Sequence, residues 1–293
     1  MPWIPQIGDF TSAMYSRGAN VVAPWMWNGL RGSWPFMEGG GGGGTITKDF
    51  AGFGNDGILE ASMTESDWVS TDGGVWCPRA LDFDGGGDYV DCGYDSSLQF
   101  GSAIDFSMSA WIKTSSSLRQ DIAGGGDAAT TSDGKHWEVF VWTNGTLSAF
   151  IDDGTNTAVT TADGATINDG NWHHVVVIFD RDGNVTRYVD GDQTGTQDSI
   201  SSVGDISSTE GTAIQAIGRR GNFVGTYFDG LLDDIRIYNR ALPASQAQEL
   251  YHDGGAIVRP RTRYYSIGGV AAAGGGSVLP QMLQHGLYAG TTL

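Results

Sequence analysis

The chain of 293 residues is poor in cations: 16 lysines and arginines stand against 34 aspartates and glutamates, a net charge of −18. Such an acidic surface repels phosphate, which excludes nucleic acid as the main partner. Cysteine is scarcer still. Cys77 and Cys92 are too few for a disulfide framework, and two free thiols are the plainer reading. No apolar run is long enough for a membrane helix, and the charge-free C-terminal stretch is broken by Gly, Pro, Gln and His. The opening MPWIPQIGDF has neither a basic head nor a continuous apolar core, so no secretory signal is expected. With five histidines and no C-x-x-C or H-E-x-x-H, zinc chemistry has no ligand set, and His173-His174 reads as the opening of a strand. Neither a G-x-S-x-G elbow nor a phosphate-binding loop is present, since GGGGGG and DGGGD lack the strand-to-helix setting.

What is abundant is glycine (46 residues) and aromatics (11%), with proline low at 8. That composition suits short strands, tight turns and an aromatic-filled core. FSMSAWIKT (106–114) alternates Phe106, Met108, Ala110 and Ile112 against Ser107, Ser109, Trp111 and Lys113. HWEVFVW and LSAFI form a hairpin through Asn144-Gly145, and HHVVVIF pairs with VTRYVDG in another. Only PASQAQELYH (243–252) reads as a helix, with Pro243 near its start and Gly254 as its stop. Strands at this spacing with so little helix predict two sheets around one core. Residues 1–27 are aromatic without a period, and 254–293 are glycine-rich and basic. The first balances to zero charge and the second carries +3, which leaves −21 on 28–253.

One strand poses a question. In GLLDDIRIYNRAL (230–242), alternation puts Leu232, Asp234, Arg236 and Tyr238 on one face, and Leu231, Asp233, Ile235 and Ile237 on the other. Asp233 thus falls on the apolar stripe, which is costly unless the carboxylate is paired or metal-bound. A cation, backbone N–H groups, or an arginine such as Arg236 or Arg240 could each serve it.

GLRGSWPFMEGG, DFAGFGNDG, ALDFDGGGDYVDCG, FSMSAWIKT, NWHHVVVIFD, RYVDG and FDGLLDDIRIYNRALPASQAQELY, taken in order over 28–253, resemble the laminin G-like jelly roll. This fold belongs to the wider group of concanavalin A-like lectins and glucanases. The resemblance implies an all-β, antiparallel two-sheet jelly-roll sandwich of six or seven strands per sheet. One short C-terminal helix and extended terminal arms (1–27 and 254–293) complete the expected architecture. It also implies a structural Ca2+ held by Asp49, the backbone around Gly54 and Asn55, and Asp233. Glycosidases of this fold carry E-x-D-x-x-E, which holds their carboxyl groups about 5–5.5 Å apart. None of the six glutamates begins that pattern, and Glu138 is expected on a solvated strand face, so no enzyme is predicted. For a glycan, Phe223 and Tyr227 in RRGNFVGTYFDG are the candidate stacking rings, with the DGGGD turn beside them. Trp137 and Trp142 are assigned to the core.

The ends resemble those of laminin G-like proteins from tailed bacteriophages and marine viral sequences. That implies a non-catalytic virion component, such as a capsid decoration protein, fibre or spike. It would assemble as a homo-oligomer and with other virion proteins through Trp3, Trp25, Trp27, Arg259, Arg261, Arg263, Tyr264 and Tyr265. The alternative is a free carbohydrate-binding module or bacterial adhesin, at a cell surface or outside the cell, with a structural calcium.

Overall fold

The computed structural model describes residues 24–37, 45–71, 79–126, 134–208, 214–221 and 225–253. Trp3, Cys77, Phe223, Arg259, Arg261, Arg263, Tyr264 and Tyr265 lie outside the described residues. In chain order the strands begin with β1 (Leu30–Trp34), β2 (Ile46–Thr47), β3 (Gly57–Glu60), β4 (Trp68–Ser70), β5 (Arg79–Asp84) and β6 (Tyr89–Asp91). The middle strands are β7 (Phe106–Lys113), β8 (Gln120–Gly126), β9 (His136–Val141), β10 (Leu147–Asp152) and β11 (Thr157–Val159). β12 (Trp172–Phe179), β13 (Asn184–Val189), β14 (Asp192–Ser199), β15 (Ile214–Ile217) and β16 (Asp229–Tyr238) complete the set. The one α-helix among the described residues, α1 (Ala244–Asp253), follows Pro243.

Among the described residues these form two eight-stranded antiparallel sheets, against the six or seven strands expected for each. Sheet one runs β14-β13-β12-β7-β16-β5-β4, with β1 also paired to β16, and sheet two runs β11-β10-β9-β8-β15-β6-β3-β2. Alternation fills the space between them. Phe106, Met108, Ala110 and Ile112 of β7 meet Trp137, Val139 and Val141 of β9 in one core, while the intervening residues face outward. Phe106 stacks between Phe100 and Phe179, with ring centroids 4.2 Å away in each case. Cys92 is a free, buried thiol on this core.

β16 departs from simple alternation. Its register against β7 shifts between Asp233 and Arg236, and Asp234 takes a left-handed backbone at φ 48. Aspartate tolerates this conformation better than most residues, and the extra residue makes a β-bulge. The bulge reverses the facing of everything before it. Leu232, Ile235 and Ile237 share the main core, and Asp233 sits opposite Trp111, on the other face. Asp233 is therefore not on the apolar stripe. Asp234 is not on a solvated face either: it is 3% exposed and forms a bidentate pair with Arg236, at 2.8 and 2.6 Å.

A second layer covers that outer face of sheet one. Leu30, Val176, Ile178, Tyr188 and Tyr238 pack against Leu242, Ala247 and Leu250, with Trp25 and Trp27 at the margin. Trp25 Nε1 donates to Glu249 Oε2 at 2.7 Å, and Arg240 Nε donates to the Asn28 carbonyl at 2.7 Å. Trp25 and Trp27 thus lie against the body of their own chain, and the 24–27 turn belongs with it rather than with an arm.

Candidate functional site

The outer face of sheet two carries polar side chains held out of water, Asp121, His136, Glu138 and Ser148 among them. One cross-strand row on that face reads Val159, Phe150, Glu138, Gly124, Ala216, Asp91, Ile58 and Ile46, each in register with the next. Its middle positions are small, so a loop can lie on them. The β15–β16 connection does so: Gly221 N–H donates to the Gly124 carbonyl at 3.2 Å, and a Cβ on Gly124 would stand 2.9 Å from Arg220 Cα.

Beneath this loop are two carboxylates. Asp121 is 0% and Glu138 2% exposed. Arg119 lies 2.6 Å from Glu138 and 3.3 Å from Asp121, and Arg220 lies 3.4 Å from the other Glu138 oxygen. Thr226 Oγ1 donates to Asp121, and Asp121 N–H donates to the Thr226 carbonyl at 3.3 Å. Burial, with the neighbouring Glu138 charge, pushes the Asp121 carboxyl up to about 7, and Arg119, Thr226 and Arg220 oppose that rise only in part. Arg119 also covers the Phe140 ring, 4.2 Å from its centroid, with Trp142 at 5.7 Å. Trp142 meets Phe140 edge-on at 5.0 Å. It therefore stands on the outer face rather than in the core to which the sequence assigned it; Trp137 is in the core as expected.

Farther along the face, Arg219 lies over Tyr89 with its guanidinium carbon 3.5 Å from the ring centroid. Tyr227 is half-buried and close enough to act electrostatically on the Tyr89 hydroxyl. Tyr227 was the one ring of this loop singled out by sequence that the structure describes. Arg119, Asp121, Glu138, Arg219 and Arg220 were not singled out as a site. The one legible signal was parity: Glu138 and Phe140 share a face, and that face is not the core.

The residues expected to hold calcium are otherwise engaged. Asp49 accepts N–H bonds from Ser33 (3.0 Å), Ala51 (2.8 Å), Phe53 (3.2 Å) and Asn55 (3.2 Å), which closes the 48–57 loop on its own carboxylate. The Asn55 amide donates to the Arg31 carbonyl at 2.9 Å and to Ser97 Oγ at 3.1 Å, and Trp34 Nε1 donates to the Asn55 carbonyl at 2.8 Å. Gly54 has a left-handed backbone, φ 84, in the same loop. Asp233 Oδ1 accepts the Asp234 N–H at 2.7 Å. Calcium asks for six to eight oxygens, and the Asp49 oxygens already serve four donors, so this set does not fit the ion. Among the described residues, Asp105, Asp180 and Asp182 do bring carboxylate oxygens within 4.8 Å of one another.

Comparison with known proteins places the architecture. Residues 84–248, more than half of the chain, match the laminin G-type family described as the concanavalin A-like lectin/glucanases superfamily. No curated protein matches by sequence. The binding domain of Paraclostridial Mosquitocidal Protein 1 superposes with a TM-score of 0.55 at 18% identity, over 77% of this chain and 52% of that one. The binding domain of Botulinum neurotoxin serotype G gives 0.55 at 16% identity, over 77% and 51%. Domain 4 of AbnA, a GH43 extracellular arabinanase from Geobacillus stearothermophilus, seen in complex with arabinotriose, gives 0.53 at 19% identity, over 76% and 98%. The chain spans about half the length of the two toxin domains, and at these identities the likeness is one of fold. With its two antiparallel sheets, its bulged last strand and the family match across most of both, the chain belongs to the concanavalin A-like lectin/glucanase superfamily.

Proposed function

We propose that this chain is a non-catalytic, lectin-like binding domain that takes a glycan on the outer face of sheet two. The observation that carries this reading is the convergence there of fixed polar groups with partly exposed rings: Arg119 beside Trp142, with Arg220 held on Glu138, and Arg219 over Tyr89, with Tyr227 near the same ring. A few placed polar groups among aromatic walls is what a small-molecule site requires. Domain 4 of the arabinanase, of the same fold, was seen with arabinotriose. Two adjacent carboxylates with one raised to about 7 also describe an acid–base pair. Here both are sealed from solvent and tied to arginines and Thr226, which suits holding the loop rather than transferring protons to a substrate.

Glycan-array screening followed by calorimetry tests the reading. Trp142→Ala and Tyr227→Ala are each expected to weaken binding about tenfold, or roughly 1.4 kcal/mol. Binding indifferent to both substitutions, or no binding across the array, would remove this face from the account.

The charge asymmetry supports a second layer to the proposal. A body at −21 and a segment 254–293 at +3 are complementary between copies, in keeping with a domain displayed on an oligomeric assembly such as a virion. Light scattering on the full chain should then show a multimer that dissociates as salt screens the attraction. A monomer at every salt concentration would contradict it. For calcium, the Asp105, Asp180 and Asp182 trio supports the reading better than Asp49 and Asp233. Added Ca2+ should raise Tm in the wild type and not in Asp182→Asn; an unchanged wild-type Tm eliminates the ion.

A further inference from the structure

Four arginines are buried among the described residues: Arg181, Arg187, Arg219 and Arg236, at 3, 0, 6 and 1% exposure. Three have acceptors in keeping with the cost of burying a charge. Arg187 pairs with Asp163 at 2.8 Å, Arg236 with Asp234 at 2.6 Å, and Arg181 donates to the Val203 and Gly204 carbonyls. Arg219 is the exception. Among the described residues it makes no ion pair or hydrogen bond, its Nε is buried without an acceptor, and its one contact of note is the Tyr89 ring at 3.5 Å. In a chain with twice as many acids as bases, an arginine buried as far as its Nε and paired with no carboxylate among the described residues calls for an explanation.

We propose that Arg219 is an anion-recognition subsite, and that the ligand is a sugar bearing a carboxylate or sulfate. This rests on the glycan reading above and names its chemical class. The guanidinium plane is fixed by stacking on Tyr89, and its fork matches a carboxylate or sulfate in two parallel hydrogen bonds. Glu60 and Asp91 lie near Tyr89 without pairing to Arg219, and Asp91 is already held by the Gly93 N–H at 2.7 Å. These acids and the body's negative field disfavour a densely charged polymer. An isolated anionic group on an otherwise neutral, hydroxylated ring is what the surroundings admit.

The test uses the full chain and Arg219→Gln, with Arg219→Lys as the variant that retains charge but not the fork. Calorimetry with a hyaluronan oligosaccharide (carboxylate), a keratan sulfate oligosaccharide (sulfate) and a neutral cello-oligosaccharide distinguishes the anion's source. Arg219→Gln should lower affinity for the anionic probe about tenfold or more, and by clearly more than it lowers affinity for the neutral probe. Thermal shift with sodium glucuronate or sodium sulfate, against chloride at equal ionic strength, should protect the wild type more than Arg219→Gln, since general stabilisation by sulfate acts on both. Protection by the free anions with no oligosaccharide bound keeps the subsite and removes the glycan reading. Neutral and anionic sugars binding alike, with no response to Arg219→Gln and no anion protection, overturns the subsite and keeps the glycan reading.

Discussion

Asp234→Asn is expected to lower the unfolding free energy by about 3–5 kcal/mol at neutral pH, the cost of leaving one member of a buried ion pair uncompensated. Asn tolerates the left-handed backbone at φ 48, so the substitution tests the charge rather than the bulge. What it deprives of its bidentate carboxylate is Arg236, 1% exposed, on the outer face of sheet one. Urea unfolding of wild type, Asp234→Asn and Asp234→Asn/Arg236→Met separates the contributions. The double variant should recover a large part of the loss, because a methionine has no charge to strand. A loss under about 1 kcal/mol in the single variant, the range of a surface pair, would show that water reaches this site.

Glu138→Gln should cost a similar amount, about 3 kcal/mol or more, because one carboxylate faces both Arg119 and Arg220. Its neighbour gives the effect a pH signature. Asp121 titrates at about 7 in the folded protein, against an ordinary 3.8, so between these values the native state holds a proton that the unfolded chain has lost. Stability from this group is therefore greatest at low pH and falls as pH rises towards 7. His174 acts in the opposite sense, since burial and the nearby Arg236 lower it to about 3 and it penalises folding below its ordinary 6.5. Comparing wild type with Asp121→Asn removes the histidine, which both share. The difference in unfolding free energy should shift by about 2–3 kcal/mol in favour of the Asn variant between pH 5 and 7, at about 1.4 kcal/mol per unit. Parallel pH curves would mean that Asp121 ionises freely. In Glu138→Gln the slope should be shallower, because one of the two causes raising Asp121 has gone.

Much of the architecture was legible without coordinates. Phe106, Met108, Ala110 and Ile112 against Ser107, Ser109, Trp111 and Lys113 is a local pattern, and it set the faces of β7 correctly. The Asn144-Gly145 hairpin and the helix after Pro243 are equally local. The candidate site is different in kind. Asp121 meets Thr226 across 105 residues, and Glu138 meets Arg220 across 82. Glu138 looked like a solvated residue because nothing in HWEVFVW announces that the β15–β16 loop will lie on it.

The bulge shows the division most clearly. Period-two alternation is a property of an unbroken strand, and through it the sequence by itself determined which residues of β7 face the core. One left-handed residue at Asp234 breaks the period, and nothing in LLDDIRIY marks where. The register against β7 and β1 decides it, by placing Leu232, Ile235 and Ile237 inward together. Composition established an acidic, glycine-rich chain, and the spacing of its strands predicted two sheets. Only the tertiary structure decided which charges find partners, because pairing depends on what distant segments bring within a few ångströms. On that ground Asp234 is satisfied by Arg236, Asp49 by its own loop, and Arg219 by nothing among the described residues.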